Sequence, residues 1–211
     1  MYVVLQCPLD NPKDAGPASR ITRILVFDIA SEKVVAEYVY QFEDVNVFDP
    51  ENAADKQDEM KISSLVAINK NMLLVGERTD WVARVYMVNM AKATNILGTQ
   101  WDDPAPAGGD SLENLDDLAS AGVTVLPKKL FVDLNLPGMP GKIEGMAMLD
   151  EETLGVTNDN DFGLDGDGVF DANGNNIDSG IESELILIDL NAVHVYDDGK
   201  GQGNMPHDED D

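Results

Sequence analysis

The sequence predicts an all-β fold, a β-propeller of which about three four-stranded blades are present. Three observations carry this. Residues 61–80, KISSLVAINKNMLLVGERTD, align without a gap on residues 142–161, KIEGMAMLDEETLGVTNDND, at an offset of 81. Lys61/Lys142, Ile62/Ile143, Leu73/Leu154, Val75/Val156 and Asp80/Asp161 are identical pairs. Each copy is an apolar run, a polar turn and a second apolar run, which is the pattern of a β-hairpin. Each is followed by a third strand, at residues 84–89 in one and 184–189 in the other.

A third, truncated copy stands upstream. Residues 1–6, MYVVLQ, line up with residues 72–77, and residues 23–28, RILVFD, repeat the charged-apolar-Asp/Asn pattern of 84–89. The Val- and Tyr-rich segment 33–42 supplies an outer strand. The opening strand of this copy is absent, so the chain reads as the C-terminal part of a larger propeller, with upstream blades of the same protein as its partners. Unpaired blade edges are otherwise avoided.

Between the second and third copies lies a long insertion, residues 95–141. Its stretch 111–118 has apolar residues at helical spacing with Asp110 or Ser111 as N-cap. Residues 129–134 read as the outer strand of the second blade, and PGMPG at 137–141 as a turn. Residues 191–196 read as one more short strand. The domain is therefore 1–196, with an acidic loop insertion at 158–182, and 197–211 is an acidic flexible tail.

Composition narrows the function. Forty acidic against fourteen basic residues give a net charge of −26. That excludes clustered contacts to nucleic-acid phosphates or anionic lipid. A hydrophobic content of 43% places the acid on a folded scaffold. The single Cys7 excludes an intramolecular disulfide and a cysteine zinc cage. It reads as a packed small side chain. No run approaches the ~18 apolar residues of a membrane helix, and residues 1–7 lack the basic start of a signal peptide.

The segments YVVLQCPLDNP, SRITRILVFD, ISSLVAINKNMLLVGERTD and, most specifically, KIEGMAMLDEETLGVTNDNDFG resemble the phytase-like β-propeller family, also called esterase-like activity of phytase. The resemblance covers most of residues 1–190. It implies a propeller with clustered Glu and Asp, a hydrolytic role, and export to the extracellular or periplasmic space. The family's earlier Glu-Gly block is not in this chain.

No G-x-S-x-G elbow, triad spacing or phosphate-cradling Gly-rich loop with Lys is present. The informative segment is residues 158–175, NDNDFGLDGDGVFDANGN, where oxygen donors alternate with glycines as hard cations such as Ca²⁺ require. Asp159, Asp161, Asp165, Asp167, Asp171, Asn173, Asn175 and Glu182 are the candidate Ca²⁺ ligands. Two registers remain open. In one, Asp165, Asp167 and Asp171 fit a loop starting at Gly163; in the other, Asp171, Asn173, Asn175 and Glu182 fit a loop starting at Asp171.

Glu144, Asp159, Glu77 and Arg78 are the catalytic candidates, because they stand at strand ends where blade loops share a face. The alternative for Glu77 and Arg78 is an ordinary strand-end ion pair. Trp81 and Trp101 read as blade packing. Two functions follow. One is a metal-assisted hydrolase in which Ca²⁺ bridges the acidic face to a small phosphorylated or ester substrate. The other is a non-catalytic, Ca²⁺-stabilised, exported propeller acting as a binding module. Convergence of Arg or Lys with carboxylates in one pocket discriminates between them.

Overall fold

The computed structural model describes residues 1–52, 56–102, 110–164 and 170–193. They form three antiparallel sheets. The first contains β1 (Tyr2–Val4), β2 (Ile21–Asp28) and β3 (Lys33–Gln41) in the order β1-β2-β3. The second is β4 (Lys61–Ala67), β5 (Met72–Arg78), β6 (Ala83–Asn89) and β7 (Lys128–Asp133), each paired with the next. The third contains β8 (Ile143–Met148), β9 (Thr153–Asn158) and β10 (Leu185–Asp189) in the order β10-β9-β8. Other than 3₁₀ turns, the described helix is the single turn α1 (Val45–Phe48). No helix is long and apolar enough to cross a membrane.

The repeat extends to turn chemistry. Asn69 Oδ1 accepts the N–H groups of Asn71 and Met72 between β4 and β5, and Asp150, its equivalent at the offset of 81, accepts that of Glu152 between β8 and β9. Asp28 accepts the Ala30 N–H between β2 and β3. These Asx turns close the hairpins without a cost in unpaired backbone.

The sheets stack face to face. Ile24, Tyr40, Phe42, Phe48, Leu73, Val75 and Val88 fill the layer between the first and second; Leu74, Val85, Val132, Leu154, Val156 and Ile188 fill that between the second and third. Successive residues of a strand point to opposite faces. The middle sheet is covered on both, which is why β5 is apolar at four consecutive positions rather than alternating.

The insertion after β6 runs along β3 and covers the far face of the first sheet. Ile96 N–H donates to Glu37 O and Leu126 N–H to Val39 O, each at 2.8 Å. Ile96, Leu112, Leu118 and Val123 then pack on Ile21 and Val39. Arg23 pins the arrangement through buried ion pairs to Glu37 at 2.9 Å and Glu113 at 3.0 Å.

Three expectations are corrected. The helix at 111–118 is only a 3₁₀ turn, Leu112–Asn114, and Ser111 makes no side-chain cap. Asp117 instead binds the backbone and hydroxyl of Ser120, the local competition that keeps Asp out of helix interiors. Of the strand at 191–196, the described residues 191–193 are turn, with Ala192 and Val193 donating to Asp189 O; residues 194–196 lie outside the described residues, as does the tail 197–211. The first copy is aligned one residue out of phase. Val4 pairs with Ile24 as Gly76 pairs with Val85, so Tyr2 rather than Val3 occupies the place of Leu74. Residues 2–5 are apolar at three of four positions, so their pattern does not reveal which face is inward. Beside these corrections, the three sheets do not close into a ring among the described residues. Among the described residues the third sheet has no fourth strand, and Leu185 and Leu187 are 68% and 59% exposed on its outer face.

Candidate functional site

Glu77 and Arg78 end β5, and as neighbours in an extended strand they project to opposite faces. They therefore do not pair with each other, which overturns the strand-end ion pair. Each anchors a separate network.

Glu77 enters the layer between the first and second sheets, where it is fully buried. It accepts the Tyr40 hydroxyl at 2.5 Å and the Glu43 N–H at 3.1 Å, and it is ion-paired with Lys128. Lys128 also meets Glu43 at 2.9 Å and lies 4.4 Å from the Tyr86 ring centre. Burial raises the Glu77 pKa against the pull of Lys128, and burial followed by the Glu77 charge pushes Tyr40 well above its usual range. With both oxygens occupied and no exposure, Glu77 holds two sheets together and cannot touch a substrate.

Arg78 turns the other way and is 4% exposed. Its Nε–H donates to Ser63 Oγ at 2.8 Å, Nη1 to Asp80 Oδ1 at 2.8 Å, and Nη2 to Glu144 Oε1 of β8. Ser63 and Glu144 are repeat equivalents, and each is the extra residue of a β-bulge, in β4 and β8 respectively. A bulge re-aims one side chain out of the pleat, and here both bulges point at one guanidinium. Gly145 makes the second bulge possible, because a Cβ there would collide with Thr157 Oγ1.

Asp80 lies in the tight turn between β5 and β6. Thr79 organises it, donating from Oγ1 to the buried Asp49 at 2.6 Å and accepting the N–H groups of Trp81 and Val82. The chain entering β8 is laid against this turn by Lys142 N–H to Asp80 O, and a Cβ on Gly141 would strike that same oxygen. A cavity of about 240 Å³ opens here, with Asp80 and Trp81 in its wall. The tryptophan is 67% exposed, so it is not blade packing; Trp101 does pack, on the third apolar cluster.

The acidic loop starts at the same end. Lys142 is ion-paired with Asp161, and this hydrogen bond raises the lysine pKa. Asp159 donates its N–H to Lys142 O and accepts the Asp161 N–H on Oδ1. Asp161 and Phe162 both have left-handed backbone, φ 51° and 62°, which costs free energy for non-glycine residues. Asn158, the repeat equivalent of Glu77, clasps the loop base by donating to Glu182 O and accepting the Glu184 N–H. Farther out, the Asp171 carboxylate accepts the N–H groups of Asn173 and Asn175 and the Asn175 side chain, which holds its pKa below the usual aspartate value. Asp165 and Asp167 lie outside the described residues. Cys7 is half-buried, and burial pushes its thiol pKa up, as befits packing rather than nucleophilic attack.

Of the sequence candidates, Arg78 and Glu144 meet directly, and Asp159 and Asp161 gather around Lys142. Glu77 faces the core, and the Asp171, Asn173 and Asn175 cluster closes on itself. Sequence reasoning missed Asp80, Ser63 and Lys142. The identities Asp80/Asp161 and Lys61/Lys142 were the signal that could have found two of them. No curated protein and no solved structure matches the chain. The family described as Phytase-like, esterase-like activity of phytase, matches residues 1–162, a span that holds Arg78 with Asp80 and Glu144, and Lys142 with Asp161, and to this family the chain belongs.

Proposed function

We propose that the chain hydrolyses an ester, with a small phosphoester as the first candidate, at the cluster around Arg78. The carrying observation is that one buried guanidinium holds two carboxylates from neighbouring sheets, Asp80 and Glu144, whose side chains are 36% and 33% exposed. Groups fixed from behind and open in front suit proton transfer.

In this reading Glu144 takes a proton from a water molecule as the water oxygen bonds to the phosphorus or carbonyl carbon. The ester's alcohol leaves with that proton as the old bond breaks. Lys142 supplies positive charge toward the developing oxyanion. Arg78 is a positioning residue, since its donors are engaged by Ser63, Asp80 and Glu144.

Calcium enters the proposal only as a stabiliser of the 158–182 loop, on the strength of its alternating oxygen donors. Among the described residues, no three carboxylate, imidazole or thiolate groups converge on a point that could hold a metal. Asp161 is spent on Lys142 and Asp171 on its own turn.

A second reading is favoured by one observation, the uncovered Leu185 and Leu187 face. In it the domain is a non-catalytic, exported binding propeller, and further blades of the same protein cover that face. A panel of aryl phosphates, inositol phosphates and aryl acetates, each with Ca²⁺ and with a chelator, separates the two. Turnover of any ester above a denatured control supports hydrolysis; none on any ester supports the binding module.

A further inference from the structure

Trp81 has a position that packing does not explain. It sits in the four-residue turn 79–82, which Thr79 fixes from both sides, so its large indole is held in water rather than left there by looseness. Exposing such a ring forgoes burial of one of the largest apolar side chains. Its neighbours in the cavity are Asp49, Asn52, Lys56, Glu59 and Asp80.

We propose that this cavity binds a quaternary ammonium head group, with the Trp81 face as the cation–π surface and Asp80 and Glu59 as counter-charges. Three carboxylates against one lysine line the cavity, in a chain of net charge −26. That field gathers cations. The directional groups are already occupied: Asp49 accepts from Thr79 and Asn52, and Asp80 accepts from Arg78. A sugar hydroxyl would therefore find few free partners. A cation without N–H groups needs only the field and the ring, and tryptophan is the best aromatic for it. The molecule uses the same contact internally, with Arg84 4.6 Å from the Phe48 ring centre and Lys128 4.4 Å from that of Tyr86. At about 240 Å³ the space is below that of pockets for whole drug-sized ligands, so it suits a head group.

Asp80 is shared with the cluster around Arg78, so the test reads binding and not hydrolysis. Trp101→Phe leaves Trp81 as the sole indole of the two in the chain. Tetramethylammonium chloride at constant ionic strength is expected to change its fluorescence saturably. Calorimetry of the full chain should show the same binding, weakened about tenfold by Trp81→Leu and also weakened by Glu59→Gln. NaCl at equal ionic strength, the neutral isostere neopentyl alcohol and glucose should do nothing. An equal effect from NaCl, neopentyl alcohol or glucose, or unchanged binding in both variants, overturns the proposal.

Discussion

Arg78 of β5 donates to Glu144 of β8, and the contact exists only because Glu144 is the extra residue of a bulge. In its sister strand the same place is Ser63, which accepts from the same guanidinium at 2.8 Å. Two copies of one repeat thus supply a hydroxyl and a carboxylate to a single cation between them.

Removing the cation should leave both acids facing each other. Arg78→Ala is expected to lower stability by about 2 kcal/mol, less than a fully buried pair because Asp80 and Glu144 are each about a third exposed. Arg78→Lys should recover only part, since an ammonium cannot reach three acceptors in a plane. Urea unfolding of the three proteins at neutral pH reads this out; equal stabilities would show that the cluster contributes nothing to the fold.

Glu77 gives the contrasting case. Cutting its buried pair by Lys128→Met should cost about 3 kcal/mol, because an unpaired carboxylate would remain beside Tyr40. The pH dependence has a definite sign. The folded Glu77 binds its proton more tightly than the ordinary glutamate of pKa 4.5. Its contribution to stability therefore falls as pH rises from about that value to the raised one. Glu77→Gln should flatten this part of the stability curve, and a slope unchanged from the parent would refute the assignment.

Calcium is expected to raise the melting temperature of the chain and chelation to lower it, by more than NaCl at matched ionic strength. The loop 158–182 joins strands that the sister copy joins with residues 79–82, and ordering it costs conformational entropy. Replacing Asp165, Asp167 and Asp171 together by Asn should remove the calcium-specific increment. If NaCl reproduces the whole shift, the loop is screened surface charge.

The uncovered face of the third sheet should make the chain self-associate or bind hydrophobic dye. Leu185 and Leu187 stand where Val85 and Met87 stand in the second sheet, positions that the third sheet covers there. Leu185→Lys with Leu187→Lys should reduce association on size exclusion without lowering the melting temperature, since both side chains are already in water. Association unchanged by the pair would place the sticky surface elsewhere.

The repeat made the strands legible: an ungapped match over 20 residues located β4, β5, β8 and β9, and the trailing apolar runs located β2, β3, β6, β7 and β10. Phase failed at β1, where apolar residues on both faces hide the inward one, and the helix at 111–118 failed where the Asp117 side chain took the Ser120 backbone N–H. At the site, Glu144 was legible as an acid that its repeat partner does not require. Its meeting with Arg78 was not, because bulges leave no mark in a hydrophobic pattern. Adjacency suggested pairing Glu77 with Arg78, and the period of two in a strand sent them to opposite layers.

The most direct test of the central claim is the ester hydrolysis rate of Glu144→Gln beside its melting temperature. The amide keeps the shape and one hydrogen bond to Arg78 but cannot accept the proton from water. The rate on the best ester of the panel is expected to fall at least about 10²-fold while the melting temperature stays within a few degrees of the parent. A variant that hydrolyses as fast as the parent would contradict it.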